Sequence, residues 1–299
     1  MSFADWLQAI RVKTLGACIG PCLVGSGLAL AGGGATAWVP LLCCGPAAFL
    51  IQIGTNLVND ALDYEKGADM DGRLGPRRLT QSGAVGAVMV HVAGILCLVV
   101  AMLAAMPAFY IRGKPLVGLV LACCFGGYMY TGGPFPLAYH GLGDVGVLFF
   151  FGLLATSGAK YVHQGGRIWG VDTMVAGAQV GLMAVNMLAV NNLRDIETDA
   201  QAKKRTIAVR LGYSIGRWQL VVEIVLAYLL GLRWLLCGPP LAFFLPLATV
   251  PLSWRIVKQI FDEKPSEKYN GILGSCGVLH LVFSLLLGGS LAGSSRPMI

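Results

Sequence analysis

Charge is what this sequence has least of. Asp, Glu, Lys and Arg make up only 12% of its 299 residues, against 56% hydrophobic residues and a mean hydropathy of +0.70. An ordinary soluble domain carries about twice that share of charge, so a soluble globular fold is excluded. Histidine is scarce too: there are four, and none accompanies the nine cysteines at zinc spacing. No C-x-x-C pair occurs. Disulfide, haem and zinc readings are therefore weak, and thiols lying in or beside apolar stretches behave as small hydrophobes. A short apolar core followed by a small-residue cleavage site is missing at the start, so the first apolar stretch is expected to stay as a span. The net charge of +7 is not matched by a basic surface interleaved with aromatics, which argues against a nucleic-acid partner.

Long apolar runs are what the sequence has in abundance. They cover 7–30, 38–58, 84–106, 116–130, 145–161, 171–190, 215–236, 241–260 and 270–291. Most reach the roughly 20 residues that a helix needs to cross ~30 Å of hydrocarbon. Glycines and prolines within them are tolerated where neighbouring helices pack closely in lipid. The expectation is an all-α membrane protein of about nine transmembrane helices in one bundle. No linker divides it, so residues 1–299 are expected to form a single domain. If the N-terminus and the loops after spans two, four, six and eight share a face, that face carries 16 of the 22 Lys and Arg residues. The bias places that face in the cytoplasm.

The few acids bunch together. Asp60, Asp63, Glu65, Asp69 and Asp71 lie in one segment, and Asp195, Glu197 and Asp199 in another. Each group follows a span on the same expected face. Helical continuation puts Asn56, Asp60 and Asp63 on one side at i, i+4 and i+7, and Asn191, Asp195 and Asp199 likewise at i, i+4 and i+8. Carboxylates on adjacent turns repel and bear a desolvation cost at a membrane helix end unless a cation neutralises them. Magnesium takes a few carboxylates together with waters and phosphate oxygens, which suits two facing stripes. Basic runs come after both stripes: Arg73, Arg77 and Arg78 after the first, Lys203, Lys204 and Arg205 after the second. Acids that hold a metal beside bases that hold phosphate are the arrangement expected for a diphosphate leaving group.

On these motifs the chain resembles the UbiA superfamily of intramembrane prenyltransferases. Three stretches look like its 1,4-dihydroxy-2-naphthoate branch. They are Gly67-x-Asp69 with Arg73-Leu74-Gly75-Pro76 and Thr80-Gln81-Ser82-Gly83; Tyr130-Thr131-Gly132-Gly133-Pro134 with Leu142-Gly143-Asp144; and Asn191-Asn192-x-Arg194-Asp195 with Asp199, Lys204-Arg205-Thr206 and Leu211-Gly212. Two departures stand out: Gly67 where many members carry a third Asp, and Lys203 where Gly is expected.

The resemblance implies a helix bundle around a central cavity open to lipid. It further implies magnesium-dependent transfer of a polyprenyl group from polyprenyl diphosphate to 1,4-dihydroxy-2-naphthoate, with loss of carbon dioxide, giving demethylmenaquinone. The expected metal ligands are Asp60, Asp63, Asp195 and Asp199, with Asp69 as an additional one and Asn56, Asn59 and Asn191 beside them. Arg73, Arg77, Arg78, Lys204 and Arg205 are expected at the diphosphate, and Arg11 or Lys13 at the acceptor carboxylate. Tyr130, Tyr139 and Asp144 are candidates for covering the site or moving a proton; His140 reads as a hydrogen-bonded loop residue. Glu223, an acid inside span seven, has no motif partner. The expected location is the inner or plasma membrane of a bacterium, with the active-site face cytoplasmic. Competing readings are transfer to 4-hydroxybenzoate, homogentisate or a haem or chlorophyll acceptor, an ion or solute transporter, and an isoprenoid-binding scaffold. A transporter would place its acids near the bilayer midplane rather than at one face.

Overall fold

A computed structural model of the protein describes residues 3–31, 38–68, 73–76 and 78–294. Among them there is no β-strand. Among the described residues, seven helices are long and apolar enough to cross a membrane: Leu41–Glu65, Ala87–Arg112, Gly143–Gln164, Val171–Arg194, Tyr213–Cys237, Leu241–Asp262 and Tyr269–Ala292. Two shorter apolar helices, Gly16–Ala31 and Lys114–Met129, complete a set that falls on the nine apolar runs of the sequence. In chain order these are spans one to nine. The first is shorter than its apolar run. Arg11 adopts a left-handed conformation (φ 56°), which separates the helix Phe3–Ile10 from span one. Ala9 and Trp6 of that helix pack with Leu57 and Ala61 at the end of span two and with Leu79 of the segment that follows it.

Lipid supplies no hydrophobic drive between helices, so close backbone approach has to hold them together. A Cβ on Gly27 of span one would stand 2.2 Å from the carbonyl oxygen of Gly288 on span nine; only glycine allows that contact. Span one also packs on span five, span two on span three, and span six on spans five, seven and nine. Span six is the most enclosed. Spans three and seven instead turn Val92, Leu96, Val99, Leu103, Val222, Val225 and Leu229 outward. An exposed apolar band of that extent fits lipid, not water.

Among the described residues the packed spans leave a large cavity of about 760 Å³. Its body is apolar, walled by Leu41, Ile51, Leu116, Leu119, Val120, Phe150 and Leu154. Its polar end meets the loops after spans two and six, through Asn56, Asn59, Arg73, Arg78, Asn191 and Arg194.

Candidate active site

Span two runs unbroken to Glu65 and span six to Arg194, so the acids at both helix ends arrive at the same end of the cavity. Asp63 and Asp199 both pair with Lys204. The ammonium Nζ lies 3.6 Å from Asp63 Oδ2 and 3.8 Å from Asp199 Oδ1. The Tyr139 hydroxyl donates to Asp63 Oδ1 at 2.9 Å. Lys66 lies over the Tyr139 ring at 4.5 Å and donates to the Thr131 carbonyl, while Thr131 Oγ1 donates to Asn59 Oδ1 at 2.6 Å. The Tyr130–Tyr139 loop is thereby fastened to the first stripe.

The other acid of each stripe is held differently. Asp60 is completely buried, and its carboxylate accepts from the backbone N–H of Leu79 and of Thr80, both at 3.2 Å, and from the Thr80 hydroxyl. The expectation placed Asp60 beside Asp63 toward a metal; the structure engages it with the loop that returns nineteen and twenty residues later. Asp195 is gripped by guanidinium groups. Arg194 donates from Nε to Oδ1 at 2.8 Å and from Nη2 to Oδ2 at 2.6 Å, and Arg73 adds a bond to Oδ2 at 3.2 Å. Arg194 continues to Asn191 Oδ1 (2.6 Å) and to Asn270 Oδ1 (2.7 Å). Asn270 in turn donates to the Leu74 carbonyl at 3.1 Å.

These surroundings set the charges. Burial pushes the Asp195 carboxyl up, but the Arg194 hydrogen bonds and the Arg73 charge outweigh it and hold the group below the usual carboxylate range. For Asp199 burial wins. Its carboxyl is pushed up to about 6, with Lys204 pulling it down and Asp195 and Asp63 pushing it further up. Burial also lowers the Lys66 ammonium, against the pull of Asp63.

The remaining expected residues separate into groups. Asn56 lines the cavity but donates to the Ile10 carbonyl at 2.8 Å, so it also fastens the N-terminal helix. Arg73, Arg78, Asn59 and Asn191 line the cavity's polar end, as does Arg11. Arg205 is exposed, and its backbone N–H bonds to the Tyr139 carbonyl. Asp69, Arg77 and the Lys13 side chain lie outside the described residues. His140 bonds the Pro136 carbonyl at 2.9 Å and stacks on Phe135, a loop role as expected. Asp144 and Glu223 share the Gln219 side-chain amide. Two residues of this network were not among the expected ligands: Arg194, which stands out in the sequence only as part of a motif, and Asn270, which the sequence reads as the start of an apolar span.

Among the described residues, no group of three or more His, Cys, Asp or Glu side chains forms a cage for a metal ion. Instead, the Lys204 ammonium pairs with carboxylates that follow two different spans. That donor set is hard, open and already built around positive charge. It fits a magnesium ion that takes most of its oxygens from phosphate and water.

Known proteins share this architecture. The model of the UbiA prenyltransferase family matches residues 18–273. The 1,4-dihydroxy-2-naphthoate octaprenyltransferase of Mycobacterium tuberculosis is 34% identical over 97% of this chain and 98% of its own length. The Danio rerio UbiA prenyltransferase domain-containing protein 1 is 31% identical over 95% of this chain and 84% of its own. A UbiA homolog from Archaeoglobus fulgidus, solved with GPP and Mg2+, superposes with a TM-score of 0.70 at 15% identity, covering 96% of this chain and 99% of that one. A buried two-stripe acid site at the polar end of an apolar membrane cavity, together with a family match over most of the sequence, establishes that this chain belongs to the UbiA prenyltransferase family.

Proposed function

We propose that the protein transfers a polyprenyl group from polyprenyl diphosphate to 1,4-dihydroxy-2-naphthoate with loss of carbon dioxide, forming demethylmenaquinone. The observation that carries the reaction type is the pairing of Lys204 with both Asp63 and Asp199, whose helix neighbours Asn59, Asn191 and Arg194 line the polar end of a largely apolar cavity. The acceptor is supported by the relatives' names, because the cavity wall does not by itself distinguish a naphthalene from a benzene ring.

In this reading Asp63, Asp195 and Asp199 hold magnesium, with Asn59 and Asn191 beside them. Bound magnesium supplies neutralisation of the charge that develops on the diphosphate as the allylic carbon–oxygen bond breaks. Lys204, Arg73 and Arg78 bind the diphosphate oxygens. Lys204 then changes partner from carboxylate to phosphate, and its pairing with both stripes keeps that exchange short. The apolar wall of Leu116, Leu119, Phe150 and Leu154 accommodates the isoprenoid tail and excludes water from the cationic allylic centre. Arg11 holds the acceptor carboxylate until it leaves. Tyr139 keeps Asp63 oriented. Residues 1–299 act as one unit in the bacterial inner or plasma membrane, with the acid-bearing mouth toward the cytoplasm, in line with the distribution of Lys and Arg.

The test is an assay of purified protein with polyprenyl diphosphate and magnesium. The expected result is conversion of 1,4-dihydroxy-2-naphthoate with release of carbon dioxide, abolished by chelation and restored by magnesium. A higher kcat/KM for 4-hydroxybenzoate would leave the prenyltransferase standing and remove the proposed acceptor.

A further inference from the structure

Asp60 is the one acid of the two stripes for which the proposed chemistry has no use. It is fully buried, at 0% exposed against 5–6% for Asp63, Asp195 and Asp199. Its partners differ in kind from those of Asp63. Lys204 and Tyr139 reach Asp63 through side chains, which can swing aside for a metal ion. Asp60 is held mainly by main chain: Leu79 N–H on Oδ2 and Thr80 N–H on Oδ1, joined by the Thr80 hydroxyl, which reaches both Oδ1 and the Asp60 carbonyl. Those amides leave the carboxylate only if the whole segment lifts.

The segment they belong to carries the basic residues. Arg78 immediately precedes Leu79, is buried and lines the cavity. The next turn is closed by Ser82 N–H on the Arg78 carbonyl (2.9 Å) and Gly83 N–H on the Thr80 carbonyl (3.1 Å). At the other end Arg73 is tied to Asp195 and the Leu74 carbonyl to Asn270. Gly75 lies so close to Arg194 that a Cβ there would stand 2.7 Å from its Nη2. Residues 73–76 and 78–83 thus form a strap over the polar end, pinned to spans six and nine at one end and to span two, through Asp60, at the other.

We infer that Asp60 is a positioning residue: it tethers the strap so that Arg78 is held at the diphosphate end of the cavity, and it does not ligate metal. What the strap grips rests on the prenyl-transfer reading; the tether itself does not.

Full-length Asp60→Asn, Thr80→Val and Asp63→Asn proteins decide the matter through three readouts. Hydrogen exchange of a peptide covering 78–83 should rise roughly tenfold in Asp60→Asn and Thr80→Val, since buried amides lose their acceptor or its hydroxyl support. Binding of Mn2+ alone, followed by electron paramagnetic resonance, should change by less than about twofold in these two variants. It should weaken about tenfold or more in Asp63→Asn. KM for the polyprenyl diphosphate should rise roughly tenfold in Asp60→Asn, and less in Thr80→Val, with kcat changed less than about threefold. Mn2+ binding weakened as much by Asp60→Asn as by Asp63→Asn would overturn the inference. So would a Thr80→Val protein with unaltered exchange and KM. That second variant keeps the carboxylate and decides alone if Asp60→Asn does not fold. Faster exchange in a protein whose wild type transfers no prenyl group would keep the tether and discard the functional reading.

Discussion

At the end of span two, Asp60 is surrounded by neutral donors; at the end of span six, Asp195 is surrounded by guanidinium groups. The next acids along the chain, Asp63 and Asp199, instead pair with the same lysine. Two motifs of nearly the same spelling are therefore wired differently, yet each divides its acids in the same way. The first acid joins the helix end to a distant segment, and the second is presented to Lys204. A neutral clamp draws on backbone amides that stay in place. An ionic clamp draws on side chains whose charge can be shared with an incoming anion. Arg73 and Arg194 both line the cavity, so the second stripe joins acid and phosphate chemistry in one network, whereas the first keeps its inner acid apart.

The sharpest way to break this comparison is to neutralise the two presented acids. Asp63→Asn and Asp199→Asn should each lower kcat/KM by on the order of 10²-fold or more, as loss of a contact that stabilises transition-state charge typically does. Rates within tenfold of wild type in a steady-state assay would remove the division of roles. The second test concerns the ionic clamp. Asp195 and Arg194 are both buried, with side chains 4% and 1% exposed, so Arg194→Met strips two of the three guanidinium bonds from a buried carboxylate and leaves it only Arg73. It should destabilise the protein by about 3–5 kcal/mol, read as thermal unfolding in detergent. Truncating the neutral clamp with Thr80→Val should cost less, about 1–3 kcal/mol.

A third test uses pH. Metal binds the ionised carboxylate, and the Asp199 carboxyl lies at about 6 in the metal-free protein. Protons therefore compete with metal below that value and not above it. Apparent magnesium affinity should be flat from pH 7 upward and weaken by up to about tenfold per unit below pH 6, measured by magnesium titration of activity at several pH values. Asp199→Asn should lose that dependence. Asp195, held below the usual range by the arginines, should contribute none of it in the same window. The smallest effect is expected from Asn270→Ala. It removes one bond to Arg194 and one to the Leu74 carbonyl without touching a carboxylate. KM for the diphosphate should rise about threefold to tenfold with kcat nearly unchanged.

Much of this arrangement is legible in the order of residues alone. Each of the nine apolar runs holds a helix, because a run so long and apolar has nowhere to satisfy its backbone in lipid except within itself. The acids at the ends of spans two and six stand out because ionisable groups at a membrane boundary are rare unless they do something. Helical spacing places Asn56, Asp60 and Asp63 within one sector, and that sector does face inward. The spacing is silent on which acid within the sector meets which partner. Leu79 and Thr80 return nineteen and twenty residues after Asp60, Tyr139 stands 76 residues after Asp63, and Asn270 stands 76 residues after Arg194. The break at Arg11 is hidden for a related reason. An apolar run on both sides reads as one helix, while the left-handed turn depends on the packing of the Phe3–Ile10 helix against span two.

By itself, then, the sequence determined the membrane class, the approximate number of spans, and the two acid-bearing helix ends with their basic followers. Hydrophobic run length and charge scarcity are local properties that any solvent of hydrocarbon reads in the same way. Only the tertiary structure decided that Lys204 pairs with both Asp63 and Asp199, that Asp60 faces a strap instead, and that Asn270 joins that strap to Arg194. Hydrogen bonds and ion pairs act over about 3–4 Å, and which groups come that close is set by how whole helices pack, not by their order along the chain.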